Sequence, residues 1–354
     1  MSQLRPNSEH IAYIDTLRII AIALVCLIHA PVVYFGATYP LRSLAMYETV
    51  VSGVHIFLMI SGALLLPVTR PWREFVARRL PLVGWPLLVW TVVYLAIGFA
   101  TGTKSWHDVL MLPLMPADRT LWYVYLIIVI YITLPVVSVV IEKVGKRGVQ
   151  AYLVLWALST LIPFQHGIFN AVAPQQHALS FFHNYYGYVV LGYYLRQWPL
   201  PLFTRKHGWW IALVMLAGIV GMPLIEFTCQ PDLSWADHVS AVTDLSINTV
   251  MTSTLIFTVV QRYCPEHYAN PDSWATRAWR TLARCTFGIY LMHMAVLEHI
   301  SIPIIMMIDH SCGLSFHALF VLASVGSAAM TLVVSAVITR LILLLPCSKL
   351  IVGR

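Results

Sequence analysis

Charge is what this chain has least of. Only 10% of its 354 residues are Asp, Glu, Lys or Arg, against about a quarter in a typical soluble domain. No hydrophilic stretch is long enough for a separate soluble domain, which excludes an ordinary globular enzyme. There is no internal repeat and no low-complexity tract. The six cysteines are scattered without metal-ligand spacing, so neither a metal centre nor a bound cofactor is expected. Cys229 and Cys312 fall in expected outer loops, where a disulfide is geometrically possible in an oxidising compartment. The formal charge of +7 is no sign of a nucleic-acid partner, because the basic residues are distributed by topology.

What the chain has in abundance is apolar sequence, 59% by composition, with a mean hydropathy of +0.77. The apolar runs are long and continuous, so they read as helices and not as barrel strands. The expected fold is an all-α, polytopic membrane bundle forming one domain over 1–354. Ten spans are expected near 17–36, 47–66, 82–100, 121–142, 149–164, 179–196, 209–226, 241–261, 285–308 and 316–346. The segment 105–116, with two prolines, is too short to cross and reads as interfacial or re-entrant. Alternating the sides leaves only Arg42, Lys104 and Arg119 outside, out of 22 Lys and Arg. Both termini are therefore expected in the cytoplasm. The amino-terminal run resembles a signal peptide, with Arg5 before it and Gly36-Ala37 after it. It is long for one, contains a histidine and precedes many further runs, so it reads as an uncleaved first helix. Acidic residues, among them Glu48, Asp108, Asp118, Asp232, Asp237 and Asp309, lean outward. They read mainly as solvated loop charges.

Ionisable groups inside apolar runs are costly, so each is a candidate for function. The first run carries Arg18 and His29. Eleven helical steps end about 20° past three full turns, which puts both on one face about 16 Å apart along the axis. His293 lies mid-depth in RCTFGIYLMHMAVLEH, where it can meet His29 across a shared cavity. His55, His183, Asp244, Glu298, His299 and Arg340 are the remaining candidates, and Arg18 and Arg340 can also snorkel to the interface. Histidine suits a general base near neutral pH. Arginine suits phosphate or developing negative charge. The segment RPWREFVARRLP, with Arg73, Arg78 and Arg79, can dock a nucleotide-containing donor or simply obey the positive-inside rule. Trp122, Tyr123, Tyr125 and Tyr131, in LWYVYLIIVIY, read mainly as an interfacial aromatic belt, with Trp122 equally a ring that stacks on a sugar.

Five blocks in order resemble the membrane-bound acyltransferase-3 family, in its stand-alone bacterial form without an extracytoplasmic hydrolase-like domain. They are YIDTLRIIAIALVCLIHA, HIFLMISGALLL with Ser61-Gly62, LWYVYLIIVIYITLP, VLGYYLR, and FGIYLMHMAVL with Tyr290 and His293, running from residue 13 to about 297. The resemblance implies an O-acyltransferase of the bacterial inner membrane. Such a protein takes an acyl group, acetyl before succinyl, from cytoplasmic acyl-CoA as co-substrate. It delivers the group to a glycan or lipid-linked sugar at the periplasmic side. It also implies that Arg18 and His29 are needed for activity and that Arg78 or Arg79, helped by Arg73, contact the charged part of the donor. Ser61, Trp122, Tyr290 and His293 are then the acceptor or cavity-lining residues. The family often has a second arginine three residues after the first; here those positions are Pro81 and Leu82, and Arg70 and Arg73 can compensate. Cys285-Thr286 stands where the family tends to have serine.

His29 reads equally as a general base or as a transient acyl carrier. Two rival functions remain: a proton-coupled transporter or flippase, and a non-catalytic subunit of a polysaccharide export assembly. Carriers of the first kind often show internal repeats and paired broken helices. Beyond membrane lipid, donor and sugar acceptor no partner is expected, and the oligomeric state stays open.

Overall fold

The computed structural model describes residues 11–35, 52–161, 179, 182–201, 208–229 and 245–353. Arg5, Arg42, Glu48, Asp232, Asp237 and Asp244 lie outside the described residues. Those described form helices and connecting turns, with no strand among them. Five helical stretches are long and apolar enough to cross a membrane: Ala12–Phe35, Trp72–Ala100, Arg119–Ser159, Trp274–Cys312 and Phe316–Ile342. Gly53–Leu65 and Gly208–Ile219 are shorter apolar helices. The chain is thus a helical, multi-pass membrane protein.

Helix α1 (Ala12–Phe35) is the hub. It packs against α2 (Gly53–Leu65), α8 (Ile247–Tyr263), α9 (Trp274–Val296) and α12 (Ser327–Ile342). At 1.5 Å per residue, its 24 residues extend about 36 Å, enough for the roughly 30 Å hydrocarbon layer. Helix α3 (Trp72–Ala100) begins ten residues before the expected span. Pro71 precedes it, Glu74 sits in its first turn, and Glu74 pairs with Arg78 four residues on at 3.0 Å. A carboxylate near the positive helix end and an i, i+4 pair both favour starting the helix there. The basic cluster read as a loop is therefore the first turns of a helix. The ninth expected span differs in the same way: α9 starts at Trp274, capped by Ser273 Oγ, which accepts from Thr276 N–H at 3.1 Å. Arg277, Arg280 and Arg284 ride on this helical extension.

The expected interfacial piece is α4 (Trp106–Met111). Its N-terminus is closed by a capping box in which Ser105 and Asp108 satisfy each other. The Ser105 backbone N–H and hydroxyl hold the Asp108 carboxyl below the usual carboxylate range. Trp106 and Leu114 are 77% and 81% exposed, which fits a headgroup-level segment. After a 3₁₀ turn at Arg119–Leu121, α5 (Trp122–Ser159) holds both the fourth and the fifth expected spans. They meet at Gly145, whose φ of 63° breaks the helix. That left-handed conformation is costly for any side-chain-bearing residue. Val136, Val140 and Val144 before the break and Gly148 and Tyr152 after it line one groove together.

Helix α6 (Tyr186–Gln197) crosses α2 with almost no space between backbones. A Cβ on Gly62 would fall 1.8 Å from the Val189 carbonyl oxygen, and one on Gly192 would fall 1.9 Å from that of Met59. Small residues at such crossings let apolar helices pack without a hydrophobic drive between them. Arg196 fastens the pair by donating to Ala63 O at 2.9 Å. Helix α7 (Gly208–Cys229) packs on α8. The buried face of α8 includes Thr249, Thr252, Ser253, Thr254 and Thr258. Two long stretches are interrupted by π-helical turns. α9 runs through Leu297–Ser301 into α10 (Ile302–Cys312), and α11 (Phe316–Val321) runs through Leu322–Gly326 into α12. Helix α13 (Ser348–Val352) returns to α3, where Trp90 Nε1 donates to Ile351 O at 3.0 Å. Cys312 is a free, exposed thiol, and the Cys229 side chain with which a disulfide was geometrically possible lies outside the described residues.

Gly62→Ala tests the crossing. Alanine gains about 1 kcal/mol of helix propensity, but the collision with Val189 forces α2 and α6 apart at about 1–3 kcal/mol. We expect a thermal midpoint in detergent several degrees below wild type; an unchanged or raised midpoint contradicts the packing described.

Candidate active site

The site begins with Arg18. Its guanidinium meets Asp15 Oδ1 at 3.1 Å, one turn earlier on α1. Asp15 is 1% exposed, and its Oδ2 accepts the Tyr268 hydroxyl at 2.9 Å. Burial, then the neighbouring Asp15 carboxylate, push the Tyr268 phenol well up, which keeps it a donor. The loop bearing Tyr268 is tied to α1 by Ala12 N–H to Glu266 O at 2.9 Å. Arg18 is therefore aimed by its own helix turn and by a loop some 250 residues away.

The guanidinium lines a cavity of about 230 Å³, together with Arg79, Ser61, Tyr123, Tyr131 and Tyr290 among others. Ser61 donates to Phe57 O at 3.0 Å and shares the cavity wall with Tyr123 and Tyr131. Gly353 forms part of the wall; its φ of 74° and its approach to Leu82 O exclude a side chain there. A second cavity of about 630 Å³ is lined by Arg70, Arg78 and Arg79 with apolar neighbours. The two share Leu64, Leu65, Arg79 and Leu82 as a common wall. Glu74 bonds Arg70 and Arg78, so it fixes two of the three arginines.

At its deeper end, the small cavity meets a ladder of rings. Tyr123 stands edge-on to Tyr290 at 5.3 Å, Tyr290 lies 5.5 Å from His293, and His293 lies 5.3 Å from His29. Tyr290 donates its hydroxyl to Thr120 O. Thr120 in turn donates its hydroxyl and N–H to Asp118. His293 is completely buried, and its Nδ1 sits 2.5 Å from Tyr290 O.

The structure therefore brings Arg18, Arg79, Ser61 and Tyr290 to one cavity and His29 and His293 together beyond it. Arg78 lines the larger cavity. Arg73 is exposed and lines neither of these two; Arg70 takes the place expected of it. Trp122 packs against Tyr123 and Tyr185, inside the aromatic cluster and off the cavity wall. His55 is enclosed by Tyr185 and Tyr188. His183 Nδ1 lies 3.2 Å from Ser159 O, a packing contact. The sequence reading missed Asp15, although it stands three residues before Arg18, and assigned Tyr123 and Tyr131 to the interfacial belt. Among the described residues, no cluster of three or more His, Cys, Asp or Glu is placed to hold a metal ion.

A double-mutant cycle tests the Arg18 anchor. Tyr268→Phe is expected to lower folding stability by about 1 kcal/mol, the usual worth of one hydrogen bond. In an Asp15→Ala background, which removes the acceptor, its cost should shrink below about 0.5 kcal/mol, because coupled residues are not additive. Full additivity would break the proposed Tyr268–Asp15–Arg18 chain.

Searches of curated proteins and of solved structures return no match. A family model described as an acyltransferase domain matches residues 11–340, which include every residue of the two cavities except Gly353. The chain belongs to the acyltransferase-3 family, and it is a membrane-embedded acyltransferase.

Proposed function

We propose that this acyltransferase takes an acyl group, most simply acetyl, from cytoplasmic acyl-CoA and transfers it to a hydroxyl of a glycan or lipid-linked sugar at the periplasmic side of a bacterial inner membrane. Ten spans with both termini in the cytoplasm complete the reading, supported by the one-sided distribution of Lys and Arg. The observation that carries it is the sequence of chambers. A basic cavity at the arginine-rich end adjoins a smaller one holding Arg18, and beyond that lies a pair of imidazoles.

Each part has a chemical role. Arg70, Arg78 and Arg79 offer planar forks suited to the donor's phosphates. Arg18 and Arg79 share the small cavity, where they orient the donor as its acyl end advances towards His29. His29 acts as general base. It takes the proton of the acceptor hydroxyl as that oxygen bonds to the acyl carbon; the carbon–sulfur bond then breaks and the thiolate recovers the proton from the imidazolium. No metal is invoked, since protein groups suffice for every step.

Purified protein with labelled acetyl-CoA provides the test. We expect acceptor-dependent release of CoA, and mass analysis of surface glycans from cells with and without the protein to show the added acyl group. His29→Ala should lower transfer by about 10²–10⁴-fold, the usual worth of a general base, while the protein still inserts. Wild-type transfer by that variant would remove His29 from the chemistry. Arg79→Gln should raise the KM for acetyl-CoA about tenfold, a loss of about 1.4 kcal/mol; an unchanged KM would move the donor site elsewhere.

A further inference from the structure

His293 has a hydrogen-bond arrangement that its packing does not explain. A carbonyl oxygen can only accept, so the contact between Nδ1 and Tyr290 O requires the proton on Nδ1. Nε2 is then a bare acceptor. It is fully buried and has no hydrogen-bond partner among the described residues. Leaving such an atom unsatisfied costs about 1–3 kcal/mol, and native structures rarely keep that cost without a use for the atom.

Geometry narrows the use to one partner. With no accessible surface, His293 cannot reach a substrate. Beside it stands His29, which is not fully buried, with ring centroids 5.3 Å apart and planes tilted by 39°. Two imidazoles joined by an N–H···N bond of about 3 Å have centroids at about this separation. A rotation of the His29 ring that aims its N–H at Nε2 would complete the bond.

We propose that His293 is a positioning residue for His29, resting on the reading of His29 as general base. The Nε2 lone pair of His293 receives the N–H of His29, fixes which ring nitrogen of His29 carries the hydrogen, and turns the other nitrogen's lone pair toward the acceptor hydroxyl. His293 keeps its own proton on Nδ1 throughout. The hydrogen-bond chain Asp118–Thr120–Tyr290 holds α9 in register for this. When His29 takes the acceptor proton, the same lone pair faces the new imidazolium and stabilises it.

Two measurements test it. Nitrogen-15 NMR of histidine-labelled protein in lipid, with His29→Ala for assignment, reads the His29 tautomer without reference to activity. One neutral tautomer is expected in wild type and a mixture in His293→Leu; a mixture in wild type overturns the proposal. With acetyl-CoA as donor, His293→Leu should lower kcat by about 10–100-fold, leave the donor KM unchanged, and leave the protein folded with a thermal midpoint within a few degrees of wild type. His293→Gln, which restores an acceptor atom, should recover much of the rate. Wild-type kcat in His293→Leu, or a rate loss matched by loss of folded protein, refutes positioning. If wild type transfers no acetyl group, the acyl-transfer reading falls, and the tautomer measurement still decides whether His293 orients His29.

Discussion

A charge drawn into a water-poor helix bundle must find a partner, and the site is organised around that demand. Arg18 reaches the cavity only because Asp15 accompanies it on the same helix face. Asp15 in turn tolerates burial because it accepts from both Arg18 and Tyr268. Such a pair adds little net stability, since desolvation offsets much of the attraction. Its value is registry. The loop carrying Tyr268 also meets Ala12 through Glu266, and Trp279 at the start of α9 donates to Thr16. Those contacts fix the rotation of α1 against α9, and that rotation sets His29 beside His293 more than three helical turns above.

The second determinant is steric. On α2, Gly62 meets α6 while its neighbour Ser61 faces the cavity, as a 100° step per residue requires. Closing the α2–α6 crossing to backbone contact thus brings Ser61 inward. The adjacent Ser-Gly pair and the glycine of VLGYYLR are two sides of one contact, far apart in sequence. Family membership and this crossing account for the same residues from opposite directions.

Much of this was legible beforehand. The helical class follows from long apolar runs with few charges, and the Arg18–His29 alignment follows from helical period alone. His293 could be paired with His29 because both sit at similar depth on runs entering from the same side. Less legible were features created by folding. Helices α3 and α9 extend well before their apolar spans, because capping and i, i+4 pairs extend a helix into polar surroundings where hydropathy carries no signal. Tyr123 and Tyr131 looked interfacial because an apolar window cannot tell a lipid-facing ring from one turned inward. The Gly353 wall needed the return of α13 onto α3, a contact between residues some 260 positions apart. Arg70, rather than Arg73, lines the larger cavity, which hydropathy and spacing could not decide.

The order of the chambers has its own logic on the acyl-CoA reading. A polyanionic nucleotide cannot follow its acyl group into hydrocarbon, since each desolvated charge costs several kcal/mol. It must stop where arginines meet water, and only the slender, uncharged end can advance. A wide basic cavity narrowing to a small one behind a shared wall of Leu64, Leu65 and Leu82 suits such a molecule. The acceptor hydroxyl, neutral until it reacts, approaches from the other end. The groups that grip the donor and the group that moves a proton can then lie at opposite ends of the donor's path. A helix carrying both, three turns apart, is a compact way to keep that separation constant while either end opens to its own compartment.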